Sequence, residues 1–189
     1  LGLVNVVGSS AAQRTAAGVY LHAGPEIGVA STKAFVSQLS ALAMIGCWLG
    51  NFGGKNLAAI KVAKELKNLP ALIKNVLGLR TDLRKLAGEI ISKRQIFFLG
   101  RGRNYSLALE GALKLREVAY LDTLGIPTGE LKHGPIAAMD KNRPAILLAP
   151  SDGMEMKNRS SAQELRARKI QVYIVTDSSG KNTFSDVAD

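Results

Sequence analysis

Three charged residues recur at helical spacing in the second half of the chain. Glu110, Lys114 and Glu117 stand at positions i, i+4 and i+7, so they share one face of a helix. A lysine between two carboxylates changes the pKa of each group, and a carboxylate of adjusted pKa can move a proton to or from carbon. The same spacing is also typical of ion pairs on a solvated helix. By itself the pattern leaves catalysis and surface stabilisation both open.

A histidine lies in a segment with an unusual composition. Residues 129–135 read GELKHGP, and His133 is therefore bracketed by glycines and followed by a proline. Such a segment is a poor helix or strand former and is typical of an exposed turn or of a shaped active-site loop. The other histidine, His22, follows a short apolar run and is interpreted as structural.

The elements that must position these residues follow from the apolar pattern. Strands are predicted at 1–7, 19–22, 95–99, 144–149 and 171–176. Helices are predicted at 31–49, 105–120 and 156–169, with two or three amphipathic helices from 60 to 91 that are interrupted at Pro70. We interpret the segment around Gly125, Pro127 and Gly129 as a loop. Strands that alternate with helices predict an α/β fold whose parallel sheet is covered on both faces.

The composition is that of a globular protein with few options for metal or redox chemistry. Hydrophobic residues make up 47% of the 189 residues, which argues against disorder. The single cysteine, Cys47, excludes an intramolecular disulfide, and two histidines are too few for a histidine-rich metal centre. The segment Gly100-Arg101-Gly102 lacks the third glycine of a dinucleotide fingerprint and predicts a tight turn from a strand into a helix. We expect no cofactor and no metal.

The net charge of +10 is concentrated in the middle of the chain. Residues 55–103 contain twelve Lys and Arg against three acidic residues. This could be a nucleic-acid surface, but the basic residues interleave with leucines and no aromatic platform accompanies them. We therefore favour the solvated face of connecting helices and expect no nucleic-acid partner. The longest apolar stretch, 41–50, is too short for a membrane span, and no membrane partner is expected.

Three longer motifs resemble a known family. Residues 21–35 read LHAGPEIGVASTKAF, residues 109–117 read LEGALKLRE, and the third motif is GELKHGP at 129–135. Together they resemble the isomerase half of glutamine–fructose-6-phosphate aminotransferase (isomerising), the glucosamine-6-phosphate synthase family of hexosamine biosynthesis. The resemblance runs from Val4 to about Thr176, nearly the whole chain.

The resemblance implies two tandem sugar-isomerase (SIS) modules, each a three-layer α/β/α sandwich with a parallel, doubly wound sheet. The chain would then hold the C-terminal part of the first module at 1–54, connecting basic helices at 55–94, and a second module without its C-terminal tail at 95–189. Members of the family are cytoplasmic homodimers that convert fructose 6-phosphate and ammonia, delivered by a glutaminase domain, into glucosamine 6-phosphate. The isomerase half opens the sugar ring and moves a proton between C1 and C2.

The resemblance also assigns roles residue by residue. Glu117 matches the base that moves the proton, and Lys114 matches the lysine that stabilises the enolic oxygen. His133 matches the ring-opening histidine, which in the family reaches the site of the neighbouring subunit. The substrate-binding positions of the first module match Val29, Ala30 and Ser31. Ser31 also stands at a predicted helix start, where its hydroxyl and the helix amides could face an anion.

Other parts of the family's site have no counterpart in these 189 residues. The serine- and threonine-rich phosphate loops and the Schiff-base lysine are absent from the sequence, so we expect the chain alone to be inactive. Two other interpretations stay open. One is a related sugar-phosphate deaminase or deglycase without a glutaminase domain, and the other is a non-catalytic sugar-phosphate sensor.

Overall fold

The computed structural model describes residues 1–54 and 56–188. The chain divides into two units, Leu1–Leu83 and Arg84–Asp189. The division falls inside one helix, Arg80–Ile90. The three-part segmentation expected from the family resemblance stays a prediction.

The first unit combines a small parallel sheet with long helices. Strands β1 (Gly2–Val4) and β2 (Gly18–Tyr20) pair in parallel around the short helix α1 (Ser10–Arg14). Helices α2 (Lys33–Gly50) and α3 (Leu57–Leu77) follow and pack against each other. Both predicted strands of this region are therefore present, although each is shorter than its apolar run.

Helix α3 corrects the expectation that Pro70 interrupts the helices of the basic region. Pro70 lies inside α3, which continues without a break to Leu77. A proline in a helix interior removes one backbone hydrogen bond. The apolar residues keep their helical spacing before and after Pro70, and the helix continues through it. The helix ends instead at Gly78, and α4 (Arg80–Ile90) begins two residues later.

Helix α2 is more apolar than the run at 41–50 suggests. Over its 18 residues the mean hydropathy is 1.2, so by length and composition alone it is long and apolar enough to cross a membrane. A core helix of a globular protein can meet the same criterion, but only 11% of this helix is buried in the structure, and Ser37, Gln38 and Ser40 lie among its apolar residues.

The second unit contains a four-stranded parallel sheet in the order β4-β3-β5-β6. Its strands are β3 (Ile96–Gly100), β4 (Thr123–Pro127), β5 (Ala145–Leu148) and β6 (Val172–Val175). Its helices are the larger part of α4, then α5 (Asn104–Ala119), α6 (Glu155–Ala167) and the short α7 (Lys181–Phe184). The chain therefore moves from β3 to one side of the sheet first and then returns to the other side, which is a doubly wound topology.

Strand β4 corrects the prediction of a loop around Gly125 and Pro127. Both residues lie within β4, and Pro127 pairs with Gly100 at the end of the ladder. Among the described strands β4 is at the sheet edge, where a proline is tolerated. Gly125 is required by a close approach, since a Cβ at this position would lie 2.9 Å from the Leu109 backbone.

The core lies on both faces of this sheet. Side chains of β3 alternate, with Phe97 and Leu99 in one buried cluster and Ile96 and Phe98 in the other. Helix α6 contributes to the first cluster and α5 to the second. This three-layer arrangement confirms the predicted α/β class with its parallel, helix-covered sheet, whereas a pair of tandem modules stays a prediction.

Candidate functional site

Helix α5 presents the charged face that the sequence predicted. Its apolar face carries Ala108 and Ala112, which are buried against the sheet. Gly111 allows the helix to approach Phe98 closely, since a Cβ there would lie 2.8 Å from the Phe98 ring. The charged face is consequently held on a rigid element that is packed directly on the sheet.

The structure brings Glu110, Lys114 and Glu117 together. The Nζ atom of Lys114 lies 2.9 Å from Glu117 Oε2 and 3.2 Å from Glu110 Oε1. All three side chains are about three-quarters buried, with 24–28% of each exposed. The hydrogen bond to Glu117 is the main cause that raises the pKa of Lys114, and Glu110 adds to it against the opposing effect of desolvation. Lys114 is therefore a protonated donor beside a carboxylate at neutral pH.

We expect the Glu117→Gln substitution to lower the pKa of Lys114 toward its ordinary value of 10.5. The substitution removes the charged acceptor that favours the protonated amine. Because the pKa is raised in the folded state, the stabilisation by this contact is complete below the ordinary pKa and is lost as the pH rises through the folded value.

The measurement is an NMR titration of the Lys114 Cε resonance in the 189-residue chain. Glu110→Gln is the matched variant and should lower the pKa by less, because its hydrogen bond is the weaker cause. An unchanged Lys114 pKa in Glu117→Gln would show that the contact does not form in solution.

Two contacts that the sequence did not predict fix the C-terminal half of α5. The buried Thr123 hydroxyl donates to the Ala112 carbonyl at 2.6 Å, and the Arg116 guanidinium donates to the Thr123 carbonyl. Tyr120 then ends the helix in a left-handed conformation. Glu117 directly follows Arg116, so these contacts fix the helical turn that carries it.

His133 lies in an exposed turn between two short 3₁₀ segments, Thr128–Glu130 and Pro135–Ala138. Its backbone N–H donates to the Glu130 carbonyl at 3.0 Å, and the neighbouring Leu131 is buried in the core. The turn is therefore anchored while the imidazole faces outward. Among the residues that the structure describes, no hydrogen bond or ion pair joins His133 to Lys114 or Glu117.

The predicted substrate-binding residues belong to the first unit. Val29 is 90% exposed, Ala30 is buried and Ser31 is half-buried just before α2. The Glu26 carboxylate accepts hydrogen bonds from the backbone N–H groups of Thr32 (2.7 Å) and Ala34 (3.2 Å), and these bonds lower the pKa of Glu26. Amides that the sequence analysis offered to an anionic ligand are thus bound to a carboxylate of the same chain.

The structure offers little to a metal ion. Within residues 1–54 and 56–188, no three side chains of His, Cys, Asp or Glu come together as a metal-binding group.

The fold defines the class of protein. A doubly wound parallel sheet with helices on both faces is an α/β fold of the kind that binds ligands at the carboxyl ends of its strands. The family model described as the SIS domain matches residues 89–186, and the chain belongs to this family.

The chain is similar in sequence to proteins of one named kind. The chain is 40% identical to glutamine–fructose-6-phosphate aminotransferase (isomerising) of Bacteroides thetaiotaomicron, over all of this chain and 31% of the relative. It is 42% identical to the human aminotransferase (isomerising) 2, over 93% of this chain and 26% of the relative. The chain therefore spans less than a third of the length of these relatives.

The chain is also similar to a solved structure of a protein with a related name. The C-terminal domain of the glucosamine–fructose-6-phosphate aminotransferase of Francisella tularensis superposes with a TM-score of 0.90 at 39% identity. The match covers 94% of this chain and 50% of that one. The family resemblance predicted from the three sequence motifs is confirmed.

Proposed function

We propose that the chain forms the isomerase part of an enzyme that makes glucosamine 6-phosphate from fructose 6-phosphate and glutamine-derived ammonia. The observation that carries the proposal is the 2.9 Å contact between Lys114 and Glu117 on α5, within a chain 40% identical to aminotransferases of this name. The contact pairs a proton acceptor with a cation, as a proton shift beside a developing oxyanion requires.

In the proposed reaction Glu117 is the base for the C1–C2 shift. Ammonia condenses with the C2 carbonyl of the ring-opened sugar and releases water, which leaves an imine at C2. The Glu117 carboxylate removes a proton from C1, the C–H electrons form a C1–C2 double bond, and the π electrons of the C2–N bond move to nitrogen, which takes up a proton. The C1 hydroxyl then loses its proton as the C1 carbonyl forms, and the negative charge that develops on this oxygen is stabilised by the protonated Lys114. The electrons of the C1–C2 double bond take the proton held by Glu117 to C2, which gives the amine at C2 and the carbonyl at C1.

The remaining roles complete the proposal. His133 opens the sugar ring, and its exposed position suits action at the site of a second subunit in a homodimer. Val29, Ala30 and Ser31 contact the bound sugar, and the glutaminase is either a domain of the same polypeptide or a separate subunit. The reaction uses no cofactor and takes place in the cytoplasm.

The test is glutamine-dependent formation of glucosamine 6-phosphate by the natural full-length polypeptide. Product formation supports the proposal. Turnover of an aminated sugar phosphate without glutamine dependence would indicate a deaminase or deglycase instead. Binding of sugar phosphates without any turnover would indicate a sensor.

A further inference from the structure

The carboxyl ends of the strands in the second unit hold a guanidinium without an acidic partner. Arg101 directly follows β3 and is half-buried. Its Nε donates to Asn158 Oδ1 and its Nη2 to Ser161 Oγ, both at 3.4 Å, which is long for hydrogen bonds of a charged donor. In the described part of the chain, no carboxylate forms an ion pair with it. The remaining N–H groups of the guanidinium are available to a ligand.

Two buried polar side chains, one bonded to Arg101 and one at the end of the neighbouring strand β4, each have a polar atom without a hydrogen-bond partner. Asn158 is fully buried, and its Nδ2 has no hydrogen-bond acceptor although its Oδ1 is bound to Arg101. Thr128 is 2% exposed, and its Oγ1 has no partner. Thr128 follows Pro127, which pairs with Gly100, and a Cβ on the next residue, Gly129, would lie 3.5 Å from Arg101 Nη1.

The Arg101 guanidinium, the Asn158 amide nitrogen and the Thr128 hydroxyl share the ability to donate hydrogen bonds. The guanidinium and the Asn158 amide nitrogen only donate hydrogen bonds, and the Thr128 hydroxyl can donate one. Buried donors without acceptors cost free energy, which an acceptor-rich ligand would recover. A phosphoryl group suits the set better than a carboxylate because its three oxygens can accept from several sides and can bind an arginine in bidentate fashion.

Two acidic residues at the same sheet edge are bound to donors other than Arg101. Asp152 accepts from Asn104 Nδ2 at 2.8 Å and pairs with Arg103 at 3.9 Å. Asp177 accepts hydrogen bonds from Ser151 and Ser179. Among the described residues, neither of these carboxylates forms an ion pair with Arg101.

The topology places the group where open α/β sheets bind ligands. Strand β3 is the point at which the chain reverses direction across the sheet, with β4 on one side and β5 on the other. Ligands of doubly wound folds bind outside the carboxyl ends of the strands at this reversal. Arg101 and Thr128 follow the two strands β3 and β4, and Asn158 approaches from α6.

We propose that Arg101, Asn158 and Thr128 form a binding site for the phosphoryl group of a small phosphorylated metabolite. The site is made of residues of the second unit and does not include Val29, Ala30 or Ser31. At 3.4 Å the contacts of Arg101 are long for hydrogen bonds of a guanidinium, and a phosphoryl oxygen would offer it a stronger acceptor. The inference does not depend on the proposed isomerase activity.

The test is a titration of the 189-residue chain with inorganic phosphate, followed by NMR and by calorimetry. Arg101→Gln should weaken binding at least tenfold. Arg103→Gln removes the same charge two residues away, from a side chain that is 80% exposed, and should change affinity less than twofold. Asn158→Leu removes the buried donors at similar volume and should also weaken binding.

Other results would overturn the proposal. Equal losses in Arg101→Gln and Arg103→Gln would show a non-specific charge effect, and so would acetate binding as tightly as phosphate. An absence of phosphate binding to the unsubstituted chain, or resonance changes confined to the start of α2, would exclude this site. Circular dichroism of the Arg101→Gln variant confirms that the comparison is made on folded protein.

Discussion

Replacing Glu117 with glutamine is expected to lower the proposed proton transfer between C1 and C2 of the sugar by roughly 10²–10⁴-fold, the range lost with a general base. Glutamine has the same shape but cannot hold the proton between the two carbons. The measurement is the exchange of the C1 hydrogen of fructose 6-phosphate in deuterated water, followed by NMR with the natural full-length polypeptide. This assay observes the isomerase step without requiring ammonia transfer.

Two control variants test whether the loss of exchange comes from the loss of a base at position 117. Glu117→Asp keeps a carboxylate but shortens its reach, so its exchange rate should fall between those of the parent and Glu117→Gln. Glu155→Gln removes a carboxylate at the start of α6, far along the chain from α5, and should leave the rate unchanged. If Glu117→Gln exchanged the hydrogen as fast as the parent, Glu117 would not be the base.

The elements with continuous apolar runs could be predicted closely from the sequence. Strand β3 was predicted at 95–99 and lies at Ile96–Gly100, and helix α5 was predicted at 105–120 and lies at Asn104–Ala119. Buried strands and amphipathic helices carry their own periodic signal, which does not depend on distant residues. Strand β4 carries no such periodic signal, because it contains Gly125 and Pro127. The glycine is explained by the close contact with α5 and the proline by the position of β4 at the sheet edge, and both depend on residues that are distant in the sequence.

The contacts of the candidate site also fall into those that the sequence predicts and those that it does not. The contact between Lys114 and Glu117 follows from their spacing on one helix, so the sequence predicts it locally. The hydrogen bond from Thr123 to Ala112, the capping of α2 by Glu26 and the unpaired state of Arg101 depend on residues that meet only in the folded chain. A sequence pattern does not show which carboxylates lie near a given arginine in the folded chain. The sequence therefore does not predict the site around Arg101.

Replacing Gly100 with alanine is expected to destabilise the second unit by about 3 kcal/mol, at the upper end of the usual cost of overpacking. A Cβ at this position would lie 2.1 Å from the Asn104 carbonyl oxygen and 2.7 Å from the Tyr105 amide nitrogen. Both atoms belong to the backbone of the first turn of α5, so no side-chain rotation can relieve the clash. Either β3 or the start of α5 has to move, and each is buried against the same core. The measurement is the urea midpoint of unfolding, followed by fluorescence or circular dichroism.

The matched control is the same substitution at Gly88, which lies in helix α4 of the same unit with nothing within 4 Å of the added Cβ. Gly88→Ala should stabilise the protein by about 0.5–1 kcal/mol, because alanine loses less backbone freedom on folding than glycine does. The two variants add one identical methyl group with opposite expected signs. A Gly100→Ala protein as stable as the parent would mean that α5 does not begin directly over the end of β3. The tight turn that places Arg101 beside Asn158 would then have a different geometry.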